Sequence, residues 1–161
     1  MHTETSKWHK RYIQLAKEVS TWSKDPSRKI GAVIVGEHGQ IISQGFNGFP
    51  RGVFDFPYRY EDRPTKYQYV VHAEMNAIYN ATLNGVKCHN AEMYVWGLPV
   101  CSECAKGVIQ VGIKQVHIPQ EAFGINAMWD ESFKFTKSMF EECGVGVTIH
   151  KTPCQKVESM V

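Results

Sequence analysis

The chain has 161 residues, enough for one well-buried core and too few for two ordinary domains. A formal net charge of +2 with no basic or acidic tail argues against a dedicated nucleic-acid binder, but leaves room for a small anionic ligand. No stretch approaches the ~18 apolar residues of a membrane span, and residues 1–5 carry charge where a signal segment would be apolar. Five cysteines, an odd number with one closely spaced pair, fit a reduced cytoplasmic enzyme whose pair binds metal.

Residues 6–22 read as a helix, with Trp8, Tyr12, Leu15 and Val19 at spacings of three and four. Pro26 lies in the break that follows. Residues 30–35 are a continuous apolar run of strand length, 37–40 a turn and 41–46 the returning strand of a hairpin. Residues 47–69 contain Pro50, Pro57 and Pro64 among many aromatics. The prolines predict a long loop, and the aromatics predict that it is ordered and functional. Residues 73–83 read as a helix ended by Asn84 and Gly85, and 91–96 as a strand. A short helix over 102–111 closes at Gly112, and a strand over 113–118 stops at Pro119. A longer helix over 128–142 stops at Gly144, and 145–149 is the last strand. The tail from about 151 has no pattern and is expected to be loosely ordered, within a single domain spanning 1–161.

The order α-β-β-α-β-α-β-α-β predicts a three-layer α/β/α sandwich around one five-stranded mixed sheet. The helix between the last two strands predicts that they are parallel, because antiparallel neighbours need only a short turn.

Two helix starts carry the chemistry. His72 and Glu74 open one helix, and Cys101 and Cys104 lie three residues apart at the start of another. That spacing lets both sulfurs face one point, and a helix N-terminus favours the thiolate that binds metal. One imidazole and two thiolates leave a fourth tetrahedral position on zinc open for water. Glu74 can reach that water without binding the metal, as a general acid and base. Each half alone is unspecific: His-x-Glu is mostly surface helix, and Cys-x-x-Cys could be redox-active or half of a zinc ribbon. No second Cys-x-x-Cys exists, and together the halves predict a hydrolytic zinc site. Cys88 and His89 read as surface loop and Cys143 as a packed helix end, with His38 and His117 structural or exposed.

The pattern His72-Ala73-Glu74 followed by Pro99-Val100-Cys101-Ser102-Glu103-Cys104 resembles that of zinc-dependent nucleobase deaminases, with Val100 as an extra residue after the proline. Residues 23–35, 45–50, 65–78 and 104–114 are similar to the deoxycytidylate (dCMP) deaminases in particular, and the resemblance runs from about 8 to 150. It implies a cytidine deaminase-like fold, one catalytic Zn2+, and hydrolysis of dCMP to dUMP and ammonia for thymidylate synthesis. Glu74 would move the protons. The Ala73 backbone N–H would hold the base carbonyl, and Asn47 would bond the deoxyribose hydroxyl. Ser27 and Arg28, just before the first strand, are candidates for the 5′-phosphate, although Arg28 and Lys29 could equally be a solvated pair. The resemblance also implies a homohexamer activated by dCTP and inhibited by dTTP. Gly48, Lys66 and Tyr67 are the candidate effector contacts, and Mg2+ would accompany the triphosphate. Neither stable nucleic acid nor membrane is expected as a partner. Val100, read as lying beside the base, keeps dCTP and 5-methyl- or 5-hydroxymethyl-dCMP open as substrates. A tRNA-adenosine deaminase, a cytidine deaminase acting on the free nucleoside and a non-catalytic nucleotide-sensing module are the remaining alternatives; the helix before the last strand argues against the second and the intact Glu74 against the third.

Overall fold

The structure, a computed structural model, describes residues 6–151. The expected loose tail falls almost wholly outside that range. Helix α1 (Lys7–Ser20) starts at Ser6, whose hydroxyl accepts the His9 N–H at 3.2 Å and so satisfies one orphan donor of the first turn. Strands β1 (Gly31–Val35) and β2 (Ile41–Phe46) form the expected antiparallel hairpin, with a register shift between Ile34 and Val35. Two short helices follow, α2 (Pro57–Glu61) and α3 (Arg63–Tyr69). Then come α4 (Ala73–Leu83), β3 (Glu92–Trp96), α5 (Ser102–Gln110), β4 (Gln115–Pro119), α6 (Ala127–Cys143) and β5 (Gly146–His150).

The sheet order is β2-β1-β3-β4-β5; β3 runs antiparallel to β1, and β3, β4 and β5 are mutually parallel. One face packs on α1, through Ala16 and Val19 against Val33, Val35 and Tyr94. The other face buries Ile34, Met93, Val95, Val116 and Ile118 beneath α4, α5 and α6. The three layers and the parallel final strands agree with the sequence reading, because each crossover between parallel strands needs a helix to cover its face.

The segment 47–69 differs from the expectation of a loop. Two of its prolines start helices instead of breaking them: Pro57 is the first residue of α2 and Pro64 the second of α3, both in a first turn where a missing N–H costs nothing. Asp62 caps α3 by accepting the Thr65 N–H at 3.1 Å. Aromatic packing holds the segment together, with Phe49 stacked on Tyr60 at 4.2 Å. Cys88, expected on a surface loop, is buried in the main core, whereas Cys143, expected to be packed, is exposed at the end of α6. His117 is buried between Glu92 and His150, at 2.9 and 2.8 Å.

One close approach fixes the helix that matters most. Gly45 of β2 lies directly against the backbone of α4, and a Cβ there would sit 2.6 Å from the Ala73 carbonyl oxygen and closer still to the Ala77 N–H. Ser43 adds a bond from its hydroxyl to the Ala77 carbonyl at 2.7 Å, and Asn76 donates to the Phe46 carbonyl at 2.7 Å. The start of α4 is therefore seated on β2 by backbone contact and by two polar ties.

Candidate metal and substrate site

The segment entering α4 is pinned before the helix begins. Gly48 and Val71 exchange two backbone hydrogen bonds, at 3.1 and 2.8 Å. The next residue, His72, is the N-cap of α4, and Cys101 is the N-cap of α5. Both helix starts converge: the His72 Nδ1 lies 3.4 Å from each of the Cys101 and Cys104 sulfurs. Tetrahedral zinc with bonds of about 2.0–2.1 Å to nitrogen and about 2.3 Å to sulfur would separate those atoms by about 3.6 Å. The three ligand atoms lie within 4.8 Å of one another, and among the described residues no other group of three does.

The donor set suits a cation. The Cys101 thiol is pulled down to about 4, first by the hydrogen bond from Cys104 and then by His72. Cys104 is pushed up beside it by the Cys101 sulfur and by burial. His72 is raised through its contact with Cys101. The lowered Cys101 and raised Cys104 favour one thiolate beside one thiol, and a divalent ion bound there would favour both sulfurs as thiolates.

Glu74 lies in the first turn of α4, 4% exposed. Burial, with the Cys101 sulfur second, pushes its carboxyl up to about 7, so both protonation states are accessible near neutrality. Ala73, fully buried, contributes the first helical N–H of α4, a donor without an intrahelical partner.

His72, Ala73, Glu74 and Cys101 line a cavity of about 270 Å³. Asn47, Ser27, Arg28, Lys66 and Tyr67 share it. The Asn47 amide is already engaged, accepting the Ile30 N–H at 2.8 Å and donating to the Arg28 carbonyl at 2.8 Å. It braces the strap before β1 against the end of β2, and its oxygen keeps a second lone pair. Arg28 and Lys29 are both exposed, and the Arg28 guanidinium donates to the Gly97 carbonyl from Nε at 3.1 Å and from Nη2 at 2.8 Å. Gly48 is not among the lining residues; its backbone bridges to Val71. Val100 is fully buried in the core, its carbonyl holding the Thr136 hydroxyl at 2.8 Å, so the extra residue turns away from the cavity instead of covering the base.

Sequence reasoning missed Asp25, Arg63, Ile125 and Trp129 as cavity residues. Trp129 meets the His72 ring edge-on, with centroids 5.8 Å apart and planes at 84°. Arg63 was hidden beside a proline read as loop. Ile125 belongs to the connection into α6 and Trp129 to the first turn of α6, where no local pattern marks a residue as facing a distant helix.

A three-ligand candidate metal site beside a buried carboxylate is the arrangement of a zinc-dependent hydrolase, and the fold around it is that of the deaminases. The chain matches the family model for the cytidine and deoxycytidylate deaminase zinc-binding region over residues 6–119. It is 41% identical over 143 residues to an uncharacterised deaminase of the luxG 3′ region of Aliivibrio fischeri, covering 89% of this chain and 93% of the relative. It is 35% identical over 167 residues to the Homo sapiens deoxycytidylate deaminase, covering 94% and 92% of the two chains. A crystal structure of the dCMP deaminase from cyanophage S-TIM5 in complex with dCMP and dUMP shares the fold, with a TM-score of 0.71, 21% identity and coverage of 93% and 100%. The protein belongs to the cytidine and deoxycytidylate deaminase family.

Proposed function

We propose that this enzyme hydrolyses dCMP to dUMP and ammonia. The observation that carries the reading is a buried Glu74 beside the His72, Cys101 and Cys104 triad, in a cavity also lined by Arg28, Arg63 and Lys66. Cationic side chains suit a phosphorylated substrate, and the 35% identical human relative is a deoxycytidylate deaminase. Zinc bound by the triad would polarise a water in the open fourth position. Glu74 takes a proton from the attacking water and gives it to N3 of the cytosine. As the C4–N bond breaks, Glu74 carries the water's second proton to the departing amine, leaving a carbonyl at C4. The Ala73 N–H holds the base carbonyl, and the spare lone pair of Asn47 accepts the deoxyribose hydroxyl. Ser27 and Arg28 face the 5′-phosphate, with Arg63 joining them. Trp129 fixes the His72 ring and forms an apolar wall with Ile125.

The same reading includes dUMP supply for thymidylate synthesis in the cytoplasm. It also includes a homohexamer activated by dCTP and inhibited by dTTP, with Mg2+ bound to the triphosphate. Two features support regulation at the segment 47–69: Gly48 bridges to Val71, one residue from the ligand His72, and Lys66 and Tyr67 line the catalytic cavity. Exposed Phe54, Phe56 and Tyr58 are available on the same segment for a neighbouring subunit.

A substrate panel tests the proposal. Zinc-loaded protein is given deoxycytidine, dCMP, dCTP, 5-methyl-dCMP and CMP, with ammonia and product identified. Preference for dCMP is expected. Absence of ammonia release from dCMP overturns the reading, and a preference for the free nucleoside removes the phosphate contacts.

A further inference from the structure

We propose that Asp25 is a positioning residue that sets how much negative charge the cavity accepts, cancelling Lys66 so that a monophosphate is preferred over a diphosphate. The inference rests on the nucleotide reading above.

Asp25 is 1% exposed and lies on the strap before β1. One carboxylate oxygen accepts the Ser27 N–H at 2.8 Å. The other meets the Lys66 ammonium at 2.7 Å and the Asn47 amide at 3.4 Å. A single buried carboxylate thus gathers three lining residues, from the strap, α3 and the end of β2. The pair is enclosed, with side-chain exposures of 12% for Lys66 and 2% for Asp25, so salt and water screen it poorly.

Its effect on charge is specific. Three cationic side chains line the cavity: Arg28, Arg63 and Lys66. Arg28 is fixed on a neutral carbonyl, which leaves its charge uncompensated. Arg63 is exposed and makes no ion pair among the described residues. Asp25 cancels Lys66 alone. Two positive charges remain, matching the charge of about −1.5 to −2 on a phosphate monoester at neutral pH. A diphosphate brings more charge than the wall offsets. With Asp25 neutral, Lys66 becomes a third free cation and the balance moves toward the diphosphate.

The test compares kcat/KM for dCMP and dCDP in zinc-loaded wild type, Asp25→Asn, Lys66→Gln and the double variant. Asparagine keeps the shape and the acceptor for the Ser27 N–H. Asp25→Asn is expected to raise the dCDP-to-dCMP ratio about tenfold, the order expected for one charge at partly screened range. Lys66→Gln lowers the ratio by a similar factor. The double variant, with the wild-type net charge, returns the ratio to within about twofold of wild type. Deoxycytidine, which carries no phosphate, reports any loss that reaches the sugar through Asn47 or the fold, and such a loss divides out of the dCDP-to-dCMP ratio. A ratio unmoved in either single variant, or not restored in the double, overturns the inference, since a merely structural Asp25 would lower all substrates together. If Asp25→Asn does not fold, the Lys66→Gln ratio still decides. A wild type inactive on dCMP removes the nucleotide reading and this inference with it; a wild type active on dCMP with unmoved ratios removes only this one.

Discussion

Replacing Gly45 by alanine tests whether the seating of α4 on β2 sets the catalytic geometry. Gly45 has no left-handed backbone conformation, so alanine introduces no dihedral strain and acts through space alone. The new Cβ would lie 2.6 Å from the Ala73 carbonyl oxygen and 2.7 Å from the Asn76 carbonyl carbon, where ordinary contact begins near 3.4 Å. Both neighbours are backbone, so no side chain can swing aside. The start of α4 must retreat by roughly 0.8 Å or more, taking His72, Ala73 and Glu74 with it. A misplacement of about 1 Å costs on the order of 100-fold in rate, and overpacking of this kind costs about 1–3 kcal/mol. For a chain of this size that lowers Tm by about 2–4 °C per kcal/mol. The assay is kcat for ammonia release from dCMP, with Tm by calorimetry and zinc content measured in parallel. Gly52→Ala is the matched control: its φ of 83° strains an alanine, but nothing lies within 4 Å of the new Cβ. It should lose about 1 kcal/mol and keep wild-type kcat. A Gly45→Ala protein with unchanged kcat and Tm would refute the reasoning.

Glu74→Gln should keep the fold and bind zinc stoichiometrically while losing at least about 100-fold in kcat, since amide cannot shuttle protons; activity within tenfold of wild type would remove Glu74 from its role. Chelation should abolish ammonia release, and zinc should restore it. In the chelated protein Cys101, held down to about 4, should alkylate at pH 6 while Cys88, pushed up by burial, does not; equal reactivity, or activity that survives chelation, contradicts the site. Burial depresses His117, and holds His150 down to about 4 from an ordinary 6.5. The unfolded chain binds those protons first, so stability is complete above about pH 6.5 and is lost as pH falls toward about 4. Tm measured from pH 7.5 to 4.5 should fall, and His150→Gln should flatten part of that slope; identical slopes would exclude the histidine pair as its source.

The candidate metal triad was legible because each of its halves is a local signal. Cys101 and Cys104 sit one helical turn apart at a helix start, and His72 and Glu74 repeat the arrangement at another. The layers were legible for the same reason, since apolar runs and helix periodicity are short-range patterns. The segment 47–69 was misread because proline carries opposite meanings inside a helix and at its first turn. Only the cap at Asp62 and the aromatic packing of Phe49 on Tyr60 tell the two apart. Val100 was placed beside the base because sequence gives its distance from Cys101 and not its direction, which Thr136 of a distant helix fixes.

The amino-acid sequence by itself pointed to the two halves of the candidate metal site and to the sheet that carries them, because each half and each strand depends on residues within a few positions of one another. Only the tertiary structure decided the cavity wall. Asp25, Arg63 and Trp129 come from three separate parts of the chain, and neither their convergence nor the pairing of Asp25 with Lys66 leaves a trace in local spacing. A buried charge finds its partner through space, so the charge on the cavity wall is a property of the folded molecule.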